Sequence, residues 1–176
     1  MKNQRLVLSL YTLTFTIFLL FIILTLSSCD KEDIQVLPQE TQTGANTFGC
    51  YIENQLFVRS YGATITHTPY ISAIYTKDSA FLEIYAENKD IGNFGFWIKN
   101  PKVNTFNRIY KVVFESSNHD LYSSKNMDYI YLTKFDTINK IVSGRFDYIL
   151  KSESDSTLKI NISKGRFDIK LDIYNN

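Results

Sequence analysis

The chain has 176 residues, 44% of them hydrophobic and 21% charged, with a formal net charge of +1. That balance argues against the clustered basic face by which proteins capture nucleic acid, so no nucleic-acid partner is expected. Two cysteines are too few for a disulfide-stapled scaffold, and the length suits one domain with a core of its own.

Lys2 and Arg5 precede residues 6–26, a run without a charged residue and rich in Leu, Ile, Phe and Thr. A short positive region before a long apolar one is read by export machinery as a signal peptide, here a hydrophobic signal helix. The run ends in Leu26-Ser27-Ser28-Cys29, which resembles the lipobox of bacterial lipoproteins. Cleavage is expected between Ser28 and Cys29, with lipid carried on the Cys29 thiol. An uncleaved membrane helix fits a run of this length, but small residues and a cysteine where the run ends favour cleavage. Each buried methylene of a lipid chain contributes about 0.8 kcal/mol, and two chains anchor stably. The chain therefore divides into a signal peptide (1–28), a lipidated Cys29 with a flexible tether (29–47), and a folded domain (48–174). Its partner through that lipid is the membrane.

Asp30-Lys31-Glu32-Asp33 follows the lipobox. The order Lys31-Glu32-Asp33 resembles the surface-export signal of Bacteroidetes lipoproteins. It implies an outer-membrane lipoprotein facing the cell surface, with a periplasm-facing one as the alternative. Residues 34–47 contain Pro38, Gly44 and several Gln and Thr, and too few large apolar residues to bury a core, hence the expected flexibility. Loss of residues 1–28 removes Lys2 and Arg5 and no acid, which takes the formal charge from +1 to −1. With Cys29 lipidated, Cys50 has no intramolecular partner. It alternates with Phe48 and Ile52, the pattern of a small buried hydrophobe, and no neighbouring cation lowers its pKa.

From Phe48 onward the hydrophobic period is two. The alternation predicts strands at residues 48–53 and 56–59, 70–76 and 80–87, 94–99, 108–115, 129–135 and 140–150, 158–162 and 165–173. Asn, Asp, Ser and Gly bound them. Roughly nine or ten short strands of this kind make an all-β antiparallel sandwich or barrel. Nothing between them is long enough for the crossover helix of a parallel sheet. Residues 116–128 read as a polar loop.

Two segments echo each other: Ser143-Gly144-Arg145-Phe146-Asp147 and Lys164-Gly165-Arg166-Phe167-Asp168. In each, alternation sets Gly and Phe on one face and Arg and Asp on the other. That predicts Phe146 and Phe167 in the core. The parity of Leu158, Ile160 and Ile162 is opposite to that of Phe167, so residues 163–165 must hold a bulge, with Gly165 expected to supply its conformation.

Residues 42–50, Gln-Thr-Gly-Ala-Asn-Thr-Phe-Gly-Cys, open the domain; Lys140-Ile141-Val142-Ser143-Gly144-Arg145-Phe146 and Gly165-Arg166-Phe167-Asp168 lie near its end. With the lipobox they bracket most of the mature chain, which on these features resembles a family of small Bacteroidetes lipoproteins. The resemblance implies a lipoprotein β domain and carries no activity with it.

Catalytic motifs are absent from the sequence: there is no His-Glu-x-x-His, no Gly-x-Ser-x-Gly and no Gly-rich phosphate loop. Glu115, His119 and Asp120 could ligate a metal or exchange protons, but three such residues in one polar loop read better as a solvated surface. No catalytic residue, metal or cofactor is assigned. Paired carboxylates for glycoside hydrolysis depend on a separation that sequence does not give. Binding is better supplied. If Leu82, Ile84 and Ala86 point inward, Phe81 and Tyr85 point outward; if Phe94, Phe96 and Ile98 point inward, so does Trp97 point outward. These three aromatics are the candidate contact face. The expectation is a non-catalytic binding or accessory lipoprotein for a glycan or a partner protein. A barrel carrying a small apolar ligand is the alternative, and a hydrolase acting on extracellular glycans a weaker one.

Overall fold

The computed structural model describes residues 36–60, 71–125 and 128–175. The signal, Cys29 and Lys31-Glu32-Asp33 lie outside the described residues. Ten strands follow in order: β1 (Thr47–Ile52), β2 (Gln55–Ser60), β3 (Ile71–Thr76), β4 (Phe81–Asn88), β5 (Gly92–Lys99), β6 (Thr105–Ser116), β7 (Leu121–Lys125), β8 (Tyr129–Asp136), β9 (Ile141–Ser152) and β10 (Lys159–Tyr174). Among the described residues there is no helix.

The ladders return on themselves. β3 to β6 form a meander; β6 pairs with β7 and β8, both pair with β9, β9 pairs with β10, and β10 pairs with β3. The β9–β10 pairing thus closes strands β3 to β10 into a barrel, with the β1–β2 hairpin laid along β10 and β2 at its outer edge. One pairing departs from the wholly antiparallel expectation: β10 and β3 run parallel. The cause is the length of β10. The β1–β2 hairpin takes its edge only from Ile162 to Asp168, and the free edge from Leu171 to Tyr174 pairs with β3.

The polar loop expected over 116–128 also differs, because Leu121–Lys125 is a strand. Its ladder with the second half of β6 supplies the backbone bonds that its Ser and Lys side chains do not advertise. β7 and β8 therefore share β6 as a single broken strand would.

The lumen is filled with rings. Phe146 lies 4.9 Å from Phe96 and 5.4 Å from both Phe48 and Tyr148, centroid to centroid, and Phe94 stacks on Phe96 at 5.8 Å. Such offset and edge contacts add to the burial of the rings themselves. Cys50 sits in this core, and burial pushes its thiol far up from its ordinary pKa.

The sequence echo has a packing explanation. In the β9–β10 ladder Gly165 faces Phe146 and Gly144 faces Phe167. A Cβ on Gly165 would lie 2.3 Å from Phe146 Cε2, and one on Gly144 would lie 2.7 Å from Phe167 Cζ. Each glycine makes room for the ring of the other motif. The expected bulge is present between Ile162 and Gly165, but Lys164 carries the positive φ, at 53°. Gly165 is there for space, not for conformation.

Asp168 explains the opening motif. Its Oδ2 accepts hydrogen bonds from Thr41 Oγ1 (2.6 Å), Thr43 N (2.9 Å), Thr43 Oγ1 (3.2 Å) and Ala45 N (3.2 Å), and its Oδ1 from Gly44 N (2.9 Å) and Ser143 Oγ (2.8 Å). Burial alone would raise the pKa of this carboxyl. The hydrogen bonds from Thr41, Ser143, Thr43 and Gly44 outweigh it and hold the group at about 2. Over residues 41–46, then, the segment expected as a flexible tether is a strap clasped to β10. Asn46 Oδ1 adds a bond from Lys170 N at 2.8 Å.

Candidate functional site

The predicted alternation in β4 and β5 holds: Leu82, Ile84, Ala86, Phe94, Phe96 and Ile98 are all in the core. Phe81, Tyr85 and Trp97 face the outer wall, but each is already engaged there. The Trp97 ring lies against Gly95, where a Cβ would come within 2.5 Å of it. Phe81 meets Tyr110 edge-on at 6.1 Å. Tyr85, 37% exposed, donates from its hydroxyl to Glu87 Oε2 at 3.3 Å. Burial, then the Glu87 carboxylate, raises the Tyr85 pKa. The three rings make a flat, half-covered stretch of wall.

The concave feature lies elsewhere on the outer wall, on β6, β8 and β9. A cleft of about 760 Å³ is lined by Phe106, Asp128, Tyr129, Tyr131, Arg145, Phe146 and Asp147. Its origin is the break between β7 and β8. β9 pairs with β8 through Arg145 and with β7 from Lys151, and among the described residues no ladder joins the stretch between to either strand.

One row of register partners crosses the site. Phe106 on β6 faces Tyr131 on β8, which faces Arg145 on β9, which faces Arg166 on β10. Phe106 meets Tyr131 edge-on at 5.1 Å. The Arg145 guanidinium stands 5.5 Å from the Tyr131 ring centroid, and its Nε lies 3.7 Å from Glu40 Oε2 on the strap. Phe106 and Tyr129 are 68% and 53% exposed.

The polar side of the cleft is incompletely paired. Asp147 Oδ1 accepts from Lys164 N at 2.7 Å. Asp128 Oδ2 is buried and has no hydrogen-bond partner, and the same is true of the Tyr148 hydroxyl. Burial first, then the charges of Asp128 and Asp147, push the Tyr148 phenol well above its ordinary pKa. The buried phenol thus stays a neutral hydroxyl, able to donate or accept.

Glu115 and His119 form an exposed pair, Nδ1 to Oε1 at 2.9 Å, while the backbone N–H of Asp120 donates to Ser116 Oγ. Among the described residues no group of three or more His, Cys, Asp or Glu side chains is placed to hold a metal ion. No family model, curated protein or solved structure matches the chain.

Sequence reasoning passed over the cleft residues. Alternation already sets Tyr129, Tyr131, Arg145 and Asp147 outward. The missing information is that β6 pairs with β8 across the intervening β7, which brings Phe106 to Tyr131.

Proposed function

We propose that this chain is a lipid-anchored, surface-facing lipoprotein that binds without catalysing, and that it binds at the cleft between β8 and β9. The observation that carries the reading is the contrast between a ring-filled lumen and an outer-wall cleft lined with four aromatic residues, Arg145 and two carboxylates. Small-ligand sites have this size and this mixture of apolar wall and few polar groups. A filled lumen gives the carrier reading less support. The anchor rests on the lipobox at Cys29, and the surface location on Lys31-Glu32-Asp33. The ligand class is a glycan or the surface of a partner protein.

A second reading, hydrolysis of extracellular glycans, is favoured by one fact: Asp128 and Asp147 line the same cleft. Two experiments test these readings. Cys29→Ala abolishes labelling by radioactive palmitate, and persistent labelling refutes the anchor. The detergent-solubilised full chain captures glycans or a partner through the cleft and leaves them intact by chromatography; cleaved product favours hydrolysis.

A further inference from the structure

We infer that the cleft between β8 and β9 takes an uncharged saccharide ring, stacked on Tyr131 and hydrogen-bonded through its hydroxyls to Asp128. This inference rests on the binding-module reading and names its ligand class. Tyr131 forms the platform, with the Arg145 guanidinium over its ring at 5.5 Å from the centroid and Phe106 edge-on to it at 5.1 Å. The face of an aromatic ring is electron-rich, so it attracts the weakly positive C–H face of a sugar. That face brings apolar contact without burying a charge.

The hydrogen-bond inventory narrows the class. Asp128 Oδ2 is buried without a donor, and the Tyr148 hydroxyl is buried without any partner. An unpaired buried polar group costs free energy that a correctly placed ligand group recovers. Asp128 lines the cleft; Tyr148, stacked on Phe146 in the lumen and only 3% exposed, is not among the residues that line it. A ligand carboxylate or phosphate would meet Asp128 and Asp147 across the cleft. A ligand ammonium would meet Arg145. A hydroxyl donates to Asp128 and opposes neither charge. A sugar ring is the ligand class that offers an apolar face and several hydroxyls together.

The test is calorimetric titration of the detergent-solubilised full chain with three panels. These are neutral hexasaccharides of glucose, mannose and xylose, acidic oligogalacturonides, and cationic chitosan oligosaccharides. The expected result is binding of at least one neutral sugar and neither charged panel. Asp128→Asn, which keeps size but turns an acceptor into a donor, weakens that binding about ten-fold. Tyr131→Ala removes it while lowering the melting temperature by only a few degrees, and Tyr131→Phe retains it; Tyr131→Phe and Asp128→Asn melt near the parent. Binding of a charged panel alone overturns the inference, as does neutral-sugar binding indifferent to Asp128→Asn and Tyr131→Ala. Failure of every sugar, with a partner protein crosslinked to the cleft, overturns the saccharide and leaves the binding module standing. Cleavage of a bound neutral sugar supports the ligand class and overturns the non-catalytic reading.

Discussion

The two edges of β9 differ in how completely they are paired. On one edge β9 is laddered to β10 from Ile141 to Lys151, interrupted only by the bulge, and Gly144 and Gly165 each accept the ring of the opposite motif. On the other edge, among the described residues, it is paired only from Ile141 to Arg145 and at Lys151 and Ser152, and the cleft lies at the stretch between. The sealed edge takes the glycines and rings of the repeated Gly-Arg-Phe-Asp signature, while Arg145, Phe146 and Asp147 of the first repeat also line the open edge. Close packing imposes strict residue choices and so leaves a legible mark, whereas an interrupted ladder demands only outward-facing side chains. In this molecule the glycine and phenylalanine of each repeat mark packing, and the outward-facing Arg145 and Asp147 of the first repeat reach the candidate site.

The largest expected effect breaks the sealed edge. Phe146 is buried and in ring contact with Phe48, Phe94, Phe96, Tyr148 and Phe167. Phe146→Ala destabilises by about 3–5 kcal/mol in chemical denaturation, because the facing Gly165 has no side chain to fill the hole. A loss under about 1 kcal/mol would refute the reciprocal packing.

Next comes the clasp on the same ladder. All six bonds to Asp168 come from donors, so Asp168→Asn must turn an amide nitrogen toward N–H or O–H groups. The expected loss is about 2 kcal/mol, with faster amide exchange at Thr43, Gly44 and Ala45. The pH dependence has a definite sign. The folded pKa of about 2 lies below the ordinary 3.8, so the contribution of Asp168 is complete above pH 4 and is lost as pH falls toward 2. Stability of the Asp168→Asn variant lacks that part of the acid limb; an unchanged acid limb would assign it to other carboxylates.

The open edge responds less. Tyr131 is half-buried on the outer wall and pairs across strands with Phe106 and Arg145. Tyr131→Ala costs about 1 kcal/mol, the scale of a cross-strand pair. A melting loss as large as that of Phe146→Ala would make Tyr131 a core residue and remove the platform.

The all-β class, nearly every strand and the inward faces were legible because period-two alternation is strong where one face is buried. Closure was not, because it depends on β10 finding β3 in parallel after the hairpin ends, a pairing far apart in sequence. β7 was hidden by its polar side chains. The candidate contact face was read from Phe81, Tyr85 and Trp97, since outward aromatics are visible in alternation. Whether such a ring is covered depends on its neighbours: Trp97 folds over Gly95, two residues back on its own strand, and Phe81 meets Tyr110. The cleft was illegible for the same reason: its rows join β6, β8 and β9, of which β6 and β8 are not consecutive.

The smallest effect concerns the strap, which touches both regions. Its two charged contacts look alike as acid-to-polar pairs, yet they differ in surroundings. Asp168 is sealed beneath the Thr41–Ala45 backbone, whereas Glu40 and Arg145 meet at 3.7 Å with about half of each side chain in solvent. Water screens such a pair, and ordering two long side chains offsets much of the attraction, so an exposed pair contributes about 0–1 kcal/mol. Glu40→Gln therefore leaves the melting temperature within about a degree of the parent. It also leaves amide exchange at Thr43, Gly44 and Ala45 unchanged, because the strap is held by Asp168 and not by the ion pair. A Glu40→Gln variant whose strap amides exchange as fast as those of Asp168→Asn would reverse that order and make Arg145 a structural anchor of the strap, withdrawing it from the cleft.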